Sequence, residues 1–260
     1  MSHRATTVLF LAIIAGACAK DEAIVDVKGS CADAFKASMC TYAKTKGATL
    51  VEAGAVIPMA SIENAPASVP MTWPPVADAV ANMPDSALKQ GGMTHLTFYW
   101  EADGHPPAAF MTPHFDFHFY LVPAAEVAAM DCKDLSKPAA LPAAFTLGDI
   151  DLPPDMQKMM GVKSLVGLCV PGMGMHSLLT SEFERKDAFE GSMVIGYYKG
   201  KAIFMEPMIS KAMLMKKASF DLPIPDVPGL TSAHPTKFHA EWDAAGNSYR
   251  FAFTGFTPAT

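Results

Sequence analysis

The octet "PHFDFHFY", positions 113 to 120, constrains this chain more than any other stretch. Strict alternation of polar and apolar residues is the mark of a β-strand, because successive side chains point to opposite faces. His114, Asp116, His118 and Tyr120 then share one face, and Phe115, Phe117 and Phe119 the other. A wall of three phenylalanines needs a second layer packed against it, so the strand belongs to a layered β structure. The opposite wall carries side chains that bind cations or move protons.

The remaining sequence supports that architecture. "MTHLTFYWE" (93 to 101) is rich in aromatic and β-branched residues and turns at "ADGHPP". "SMVIGYYKGKAIFMEPM" reads as two strands joined at Lys199-Gly200, and the alternation on either side of "AAGN" near the end is a hairpin signal. "ATLVEAGAVIPMASI" (48 to 62) reads as extended chain, and "ENAPASVPMTWPP" as a loop. Short helices are predicted at "VADAVANMP", ended by Pro84, and at "AAEVAAM", "PPDMQKMMG" and "ISKAMLMKK". The pattern predicts a mainly β (α+β) fold: an antiparallel sheet, sandwich- or barrel-like, with a few accessory helices, in one domain over 31–260.

The N-terminus opens with Arg4 and an apolar run from Ala5 to Ala17, too short to span a bilayer and shaped like an export signal over 1–17. "AGAC" resembles a lipoprotein box with Cys18 as the lipidated residue, and Ala15-x-Ala17 also suits an ordinary signal peptidase. Membrane association is expected only through such an anchor, with 18–30 as a tether. The formal charge of −6 argues against nucleic-acid binding. Cys31, Cys40, Cys132 and Cys169 form an even set in a chain bound for an oxidising compartment. Four cysteines allow three pairings, of which Cys31 with Cys40 and Cys132 with Cys169 is expected.

The candidate chemistry gathers around the octet. His176 ends the Gly-rich turn "VPGMGMH", and Glu206 interrupts the apolar end of a strand, where a carboxylate requires a cation, a donor or a proton. His114, His118, His176 and Glu206 are the candidate ligands of a divalent transition metal (zinc, manganese, iron or copper). Same-face residues two apart on a strand lie about 7 Å from each other and those four apart about 13 Å. Either Asp116 joins the site as a ligand or bends in the strand bring His114 and His118 together. Tyr120 and His105 are candidates for proton transfer.

Competing readings stand beside this one. The polar face can be a hydrogen-bonded layer in which Asp116 merely orients an imidazole, and the protein a non-catalytic envelope component that binds a small or apolar ligand or assembles into a homo-oligomer. Methionine, 18 in all, offers a further reading: Met173, Met175 and His176 as a copper-handling cluster, or as flexible core filler. His95, His234 and His239 are read as structural. No GxSxG, HExxH or nucleotide-binding motif occurs.

The series "GHPP", "PHFDFHFY", "PGMGMH" and "EPM", in that order between about Met93 and Lys216, resembles a small family of secreted bacterial proteins classed as a domain of unknown function, one of whose members belongs to an extracytoplasmic sigma-factor regulon in a thermophile. The resemblance implies export, an assembly-prone β-rich domain, and signature positions at His105, His114, Asp116, His118, His176 and Glu206. It implies no reaction. Before residue 75 the chain departs from the family's look, with "CADAFKASMC", of weak helical periodicity, standing where strands are expected.

Overall fold

A computed structural model describes residues 22–230 and 233–257. The export segment 1–17 and Cys18 lie outside the described residues. In chain order the strands are β1 (Ile24–Ala34), β2 (Ala37–Lys46), β3 (Thr49–Pro58), β4 (Ala79–Asn82), β5 (His95–Glu101), β6 (His114–Tyr120), β7 (Phe145–Thr146), β8 (Ile150–Asp151), β9 (Ser164–Leu165), β10 (Met175–Leu179), β11 (Gly191–Tyr198), β12 (Lys201–Ser210), β13 (Phe220–Pro223), β14 (Lys237–Asp243) and β15 (Ser248–Thr254). They pair antiparallel into a six-stranded sheet, β1-β2-β3-β15-β14-β13, and a seven-stranded sheet, β4-β5-β6-β12-β11-β10-β7; β8 and β9 form a separate small pair.

The two large sheets pack face to face, as the phenylalanine wall requires. Phe115, Phe117 and Phe119 are fully buried, and their partners come from the other sheet: Phe117 meets Phe251 edge-on at 4.8 Å between ring centres and Phe119 meets Phe253 at 4.9 Å. Each such ring contributes about 1.5–3 kcal/mol of burial. The fold is therefore the antiparallel, sandwich-like β structure that the alternation predicts. No helix among the described residues is long and apolar enough to cross a membrane.

Three local expectations fail. Residues 24–30 are not a tether but the first part of β1. "CADAFKASMC" is not helical: Phe35 and Lys36 both take positive φ, the geometry of a two-residue hairpin turn, and Cys31 pairs opposite Cys40 in the β1–β2 ladder. Its alanine-rich composition mimics a helix, and cross-strand pairing overrides so weak a propensity. "VADAVANMP" likewise becomes β4, with Ala79 and Ala81 buried against the core; Pro84 caps the following helix (Asp85–Gly91) instead of ending one before it. Both expected disulfides, Cys31–Cys40 and Cys132–Cys169, are present. Helices fall as predicted at Ala124–Ala128, Pro154–Met160 and Lys211–Met215.

One feature of the architecture decides what the octet can do. The outer face of the seven-stranded sheet is covered by loops and short helices, whose apolar side chains, among them Phe110, Val127, Met130, Leu168 and Phe189, form a second core cluster. All seven residues of β6 are buried as a result. Its polar side chains are thus removed from water, where unpartnered groups are costly.

Candidate functional site

Register places the polar residues in rows across the outer face. Glu101 of β5 stands opposite His114, Tyr99 opposite Asp116, Thr97 opposite His118 and His95 opposite Tyr120. On the other side of β6, Met208 of β12 stands opposite Asp116 and Ser210 opposite His114. The same register sets Glu206 beside His118, although Pro207 lacks the N–H to complete the ladder there. Val194 of β11 pairs with Glu206, and Gly196 of β11 pairs with His176 of β10.

The first cluster is built on the upstream half of β6. The β5–β6 connection folds back over its own strand: Gly104 sits at φ 69 with Phe110 O so close that a Cβ would come within 2.2 Å, and His105 N donates to that carbonyl. This turn sets His105 above His114, with the two Nε2 atoms 3.1 Å apart. Asp116 closes the triangle, its Oδ1 3.2 Å from His114 Nε2 and its Oδ2 3.5 Å from His105 Nε2. Both imidazoles donate through Nδ1 to a carbonyl, His114 to Thr112 O at 2.7 Å and His105 to Pro106 O at 2.9 Å. A carbonyl only accepts, so in a neutral ring the proton is on Nδ1 and a bare lone pair points inward from Nε2.

The second cluster joins three strands. His118 Nε2 lies 3.4 Å from His176 Nε2 and 3.6 Å from Glu206 Oε2. His176 again donates through Nδ1 to a carbonyl, that of Leu168 at 3.0 Å, and the Cys132–Cys169 disulfide braces the chain next to that carbonyl. Gly196 makes the reach across β11 feasible. A Cβ there would come within 2.1 Å of the Phe204 ring, and that ring packs against His118 (4.6 Å) and His176 (5.2 Å). His118, at 1 % exposure, and Glu206, at 2 %, are buried.

Each cluster contains a buried carboxylate oxygen without a hydrogen-bond donor among the described residues, Asp116 Oδ1 in one and Glu206 Oε2 in the other. Asp116 Oδ1 is only 3.2 Å from His114 Nε2, but it gains a donor there only when that ring carries both protons, because the single proton of the neutral ring sits on Nδ1. Electrostatics differ between the two. Burial opposes charge on Asp116, yet His114 and His105 outweigh it and hold the carboxyl below the usual range. Burial likewise opposes charge on His105, but the hydrogen bond and charge of Asp116 raise it to about 9. In the second cluster burial dominates: it lowers His118 to about 3, with help from His176, lowers His176 to about 4, and lifts Glu206 well above the ordinary carboxylate value, with help from Asp116 and Glu101.

Both clusters open onto one cavity of about 480 Å³, into which His105, Asp116, His176 and Glu206 project. His114 and His118 lie behind them, fully buried. The volume is that of an ordinary small-molecule site.

The sequence-predicted residues are therefore brought together, but not as one site. His114 does not join His118, His176 and Glu206; it belongs with Asp116 and His105, because β6 runs on in unbroken register and keeps positions 114 and 118 apart. His105, expected only as a proton carrier, is a member of the first group of possible ligands. Tyr120, the other such candidate, is fully buried between His95 (4.8 Å) and His118 (5.8 Å), and its hydroxyl has no hydrogen-bond partner. The Met173, Met175, His176 cluster does not form: Met175 faces the inter-sheet core, opposite to His176, while Met173 lines the cavity. His95 is buried at Thr94 and Tyr120, and His239 pairs at the surface with Asp221, in keeping with structural roles.

Two residues escaped the sequence reading. Tyr99 and Glu101 line the cavity opposite Asp116 and His114; burial raises Tyr99 to about 12 and raises Glu101 above the ordinary value. The signal was present: "HLTFYWE" alternates in the same way as the octet, with Leu96, Phe98 and Trp100 facing the core. Comparisons with protein-family models, with curated proteins and with solved structures found no match.

Proposed function

We propose that this chain is an exported metal-binding β-sandwich protein whose two triads, His105/His114/Asp116 and His118/His176/Glu206, hold divalent transition-metal ions at the floor of a small-molecule cavity. One observation carries the reading. In each triad two imidazole Nε2 atoms face each other at 3.1 or 3.4 Å beside a carboxylate oxygen that lacks a donor. Lone pairs so arranged repel unless a proton or a cation stands among them. The Nδ1-to-carbonyl bonds of His105, His114 and His176 supply the orienting contact typical of metal-bound histidine.

Two histidines and one carboxylate suit zinc, manganese or iron, and three protein ligands leave positions for water or substrate. Such an ion polarises a carbonyl or lowers the pKa of bound water. The chain's own groups complete the surroundings: Tyr99 keeps its proton at neutral pH and can donate from the wall, and His105, 38 % exposed, sets the first triad nearest to solvent. The two disulfides and the apolar N-terminal run support export.

The test compares His176→Ala and Glu206→Gln with the parent chain. A metal site predicts that each variant loses the ion of the second triad, keeps that of the first, and keeps its circular dichroism spectrum. A purely structural polar layer predicts lowered stability with no metal to lose.

A further inference from the structure

The metal reading leaves the methionines without a role, and the cavity gathers them. Met71 and Met111 stand at its mouth, 58 % and 57 % exposed; Met156, Met160 and Met173 line its walls; and Met208 lies beside Asp116 on the floor. Six of the chain's 18 methionines thus surround one cavity. Thioether side chains are unbranched and polarizable, and they reshape around apolar ligands of different outline. Large apolar side chains held in water at a cavity rim mark a binding surface.

The other end of the cavity has the opposite character. Among the described residues, no lysine or arginine lines it. With the triads loaded, each ion would set two positive charges against a single carboxylate ligand and keep coordination positions open; of the two other carboxylates on the wall, Asp78 accepts from the Trp100 backbone N–H at 2.8 Å and Glu101 stands opposite His114. An anionic oxygen donor completes such a floor, and an apolar body completes such walls.

We infer that the cavity takes an amphiphilic monocarboxylate, with its carboxylate on the metal ions and its apolar body against the methionines. This rests on the metal reading above. Because the ions supply the positive charge, binding of the anion depends on metal, and binding of an uncharged amphiphile of the same length does not.

The experiment uses the untagged full chain, once stripped with chelator and once reloaded with zinc, titrated with dodecanoate and with dodecanol while zinc content is measured in parallel. Dodecanoate should bind the zinc form about tenfold or more tightly than the stripped form, equivalent to at least about 1.4 kcal/mol. Dodecanol should bind both forms alike. Met111→Glu, at a mouth position 57 % exposed, should weaken dodecanoate binding. Zinc retained with no dodecanoate binding, or with binding equal in the two forms, overturns the ligand assignment and leaves the metal reading standing. Failure to retain zinc overturns both.

Discussion

The two triads carry the same ligand set on the same sheet face, and they solve the same electrostatic problem differently. In His105/His114/Asp116 a proton suffices: on His105 Nε2 it faces the His114 lone pair at 3.1 Å and the Asp116 carboxylate at 3.5 Å, and His105 reaches solvent. In His118/His176/Glu206 burial strips charge from every member, Glu206 Oε2 lacks a partner among the described residues, and no ion pair forms in exchange. Ligand identity alone does not make a metal site compelling. The depth of burial decides whether a proton is an adequate substitute, and the second triad is the one that a cation satisfies best.

The largest effect should follow from removing a ligand of the second triad. His176→Ala or Glu206→Gln should weaken its metal binding by more than the roughly 10–100-fold that loss of a merely orienting group costs, read by competition with a metallochromic chelator. His105→Ala should leave that same site loaded, and equal losses in the two triads would break the comparison.

His95 provides a control on the same face, buried without a carboxylate. Burial lowers it to about 4, so as pH falls from about 6.5 to 4 the unfolded chain takes up a proton that the folded chain refuses. Stability should drop by about 2–3 kcal/mol over that interval, and His95→Phe should remove this part of the acid sensitivity in urea titrations. An unchanged slope would mean that burial is not what separates the two triads.

The first triad should show the reverse sign in chelator-treated protein. His105 is raised to about 9, so its contribution is complete below about 6.5 and disappears as pH rises through 9; Asp116 is depressed, so its contribution is complete above about 4 and disappears in acid. Asp116→Asn should therefore cost about 1–2 kcal/mol between pH 4 and 6.5, allowing for solvent screening at His105, and progressively less toward pH 9. A pH-independent cost would point to lost packing in place of a lost ion pair. The smallest effect should come from Cys132→Ser with Cys169→Ser, which frees the Leu168 carbonyl that orients His176. A loss of up to about tenfold in metal affinity is expected at the second triad, with none at the first.

Much of this was legible in the chain. Alternation in "PHFDFHFY" revealed a core wall and a chemical wall, and six of the residues that face one another across the two triads were identified from local motifs. Their division into two groups was not, because it depends on His105 folding back through a 12-residue connection (102–113) and on which strand lies beside which. Tyr99 and Glu101 were readable from the alternation in "HLTFYWE" but became interpretable only once β5 was known to pair with β6. "CADAFKASMC" misled because alanine carries little strand preference of its own; the hairpin is fixed by Cys31 facing Cys40 and by long-range pairing with β3. Gly196 gives no local signal, since its role lies in making room for Phe204.

The most direct test of the account is elemental analysis of the untagged chain, purified without chelator, beside its His176→Ala variant. The parent should hold a transition metal at each triad, and the variant should lose the second triad's ion while keeping the first's. No metal in either, even after incubation with zinc, manganese, iron and copper, would contradict it and leave the polar face a hydrogen-bonded layer.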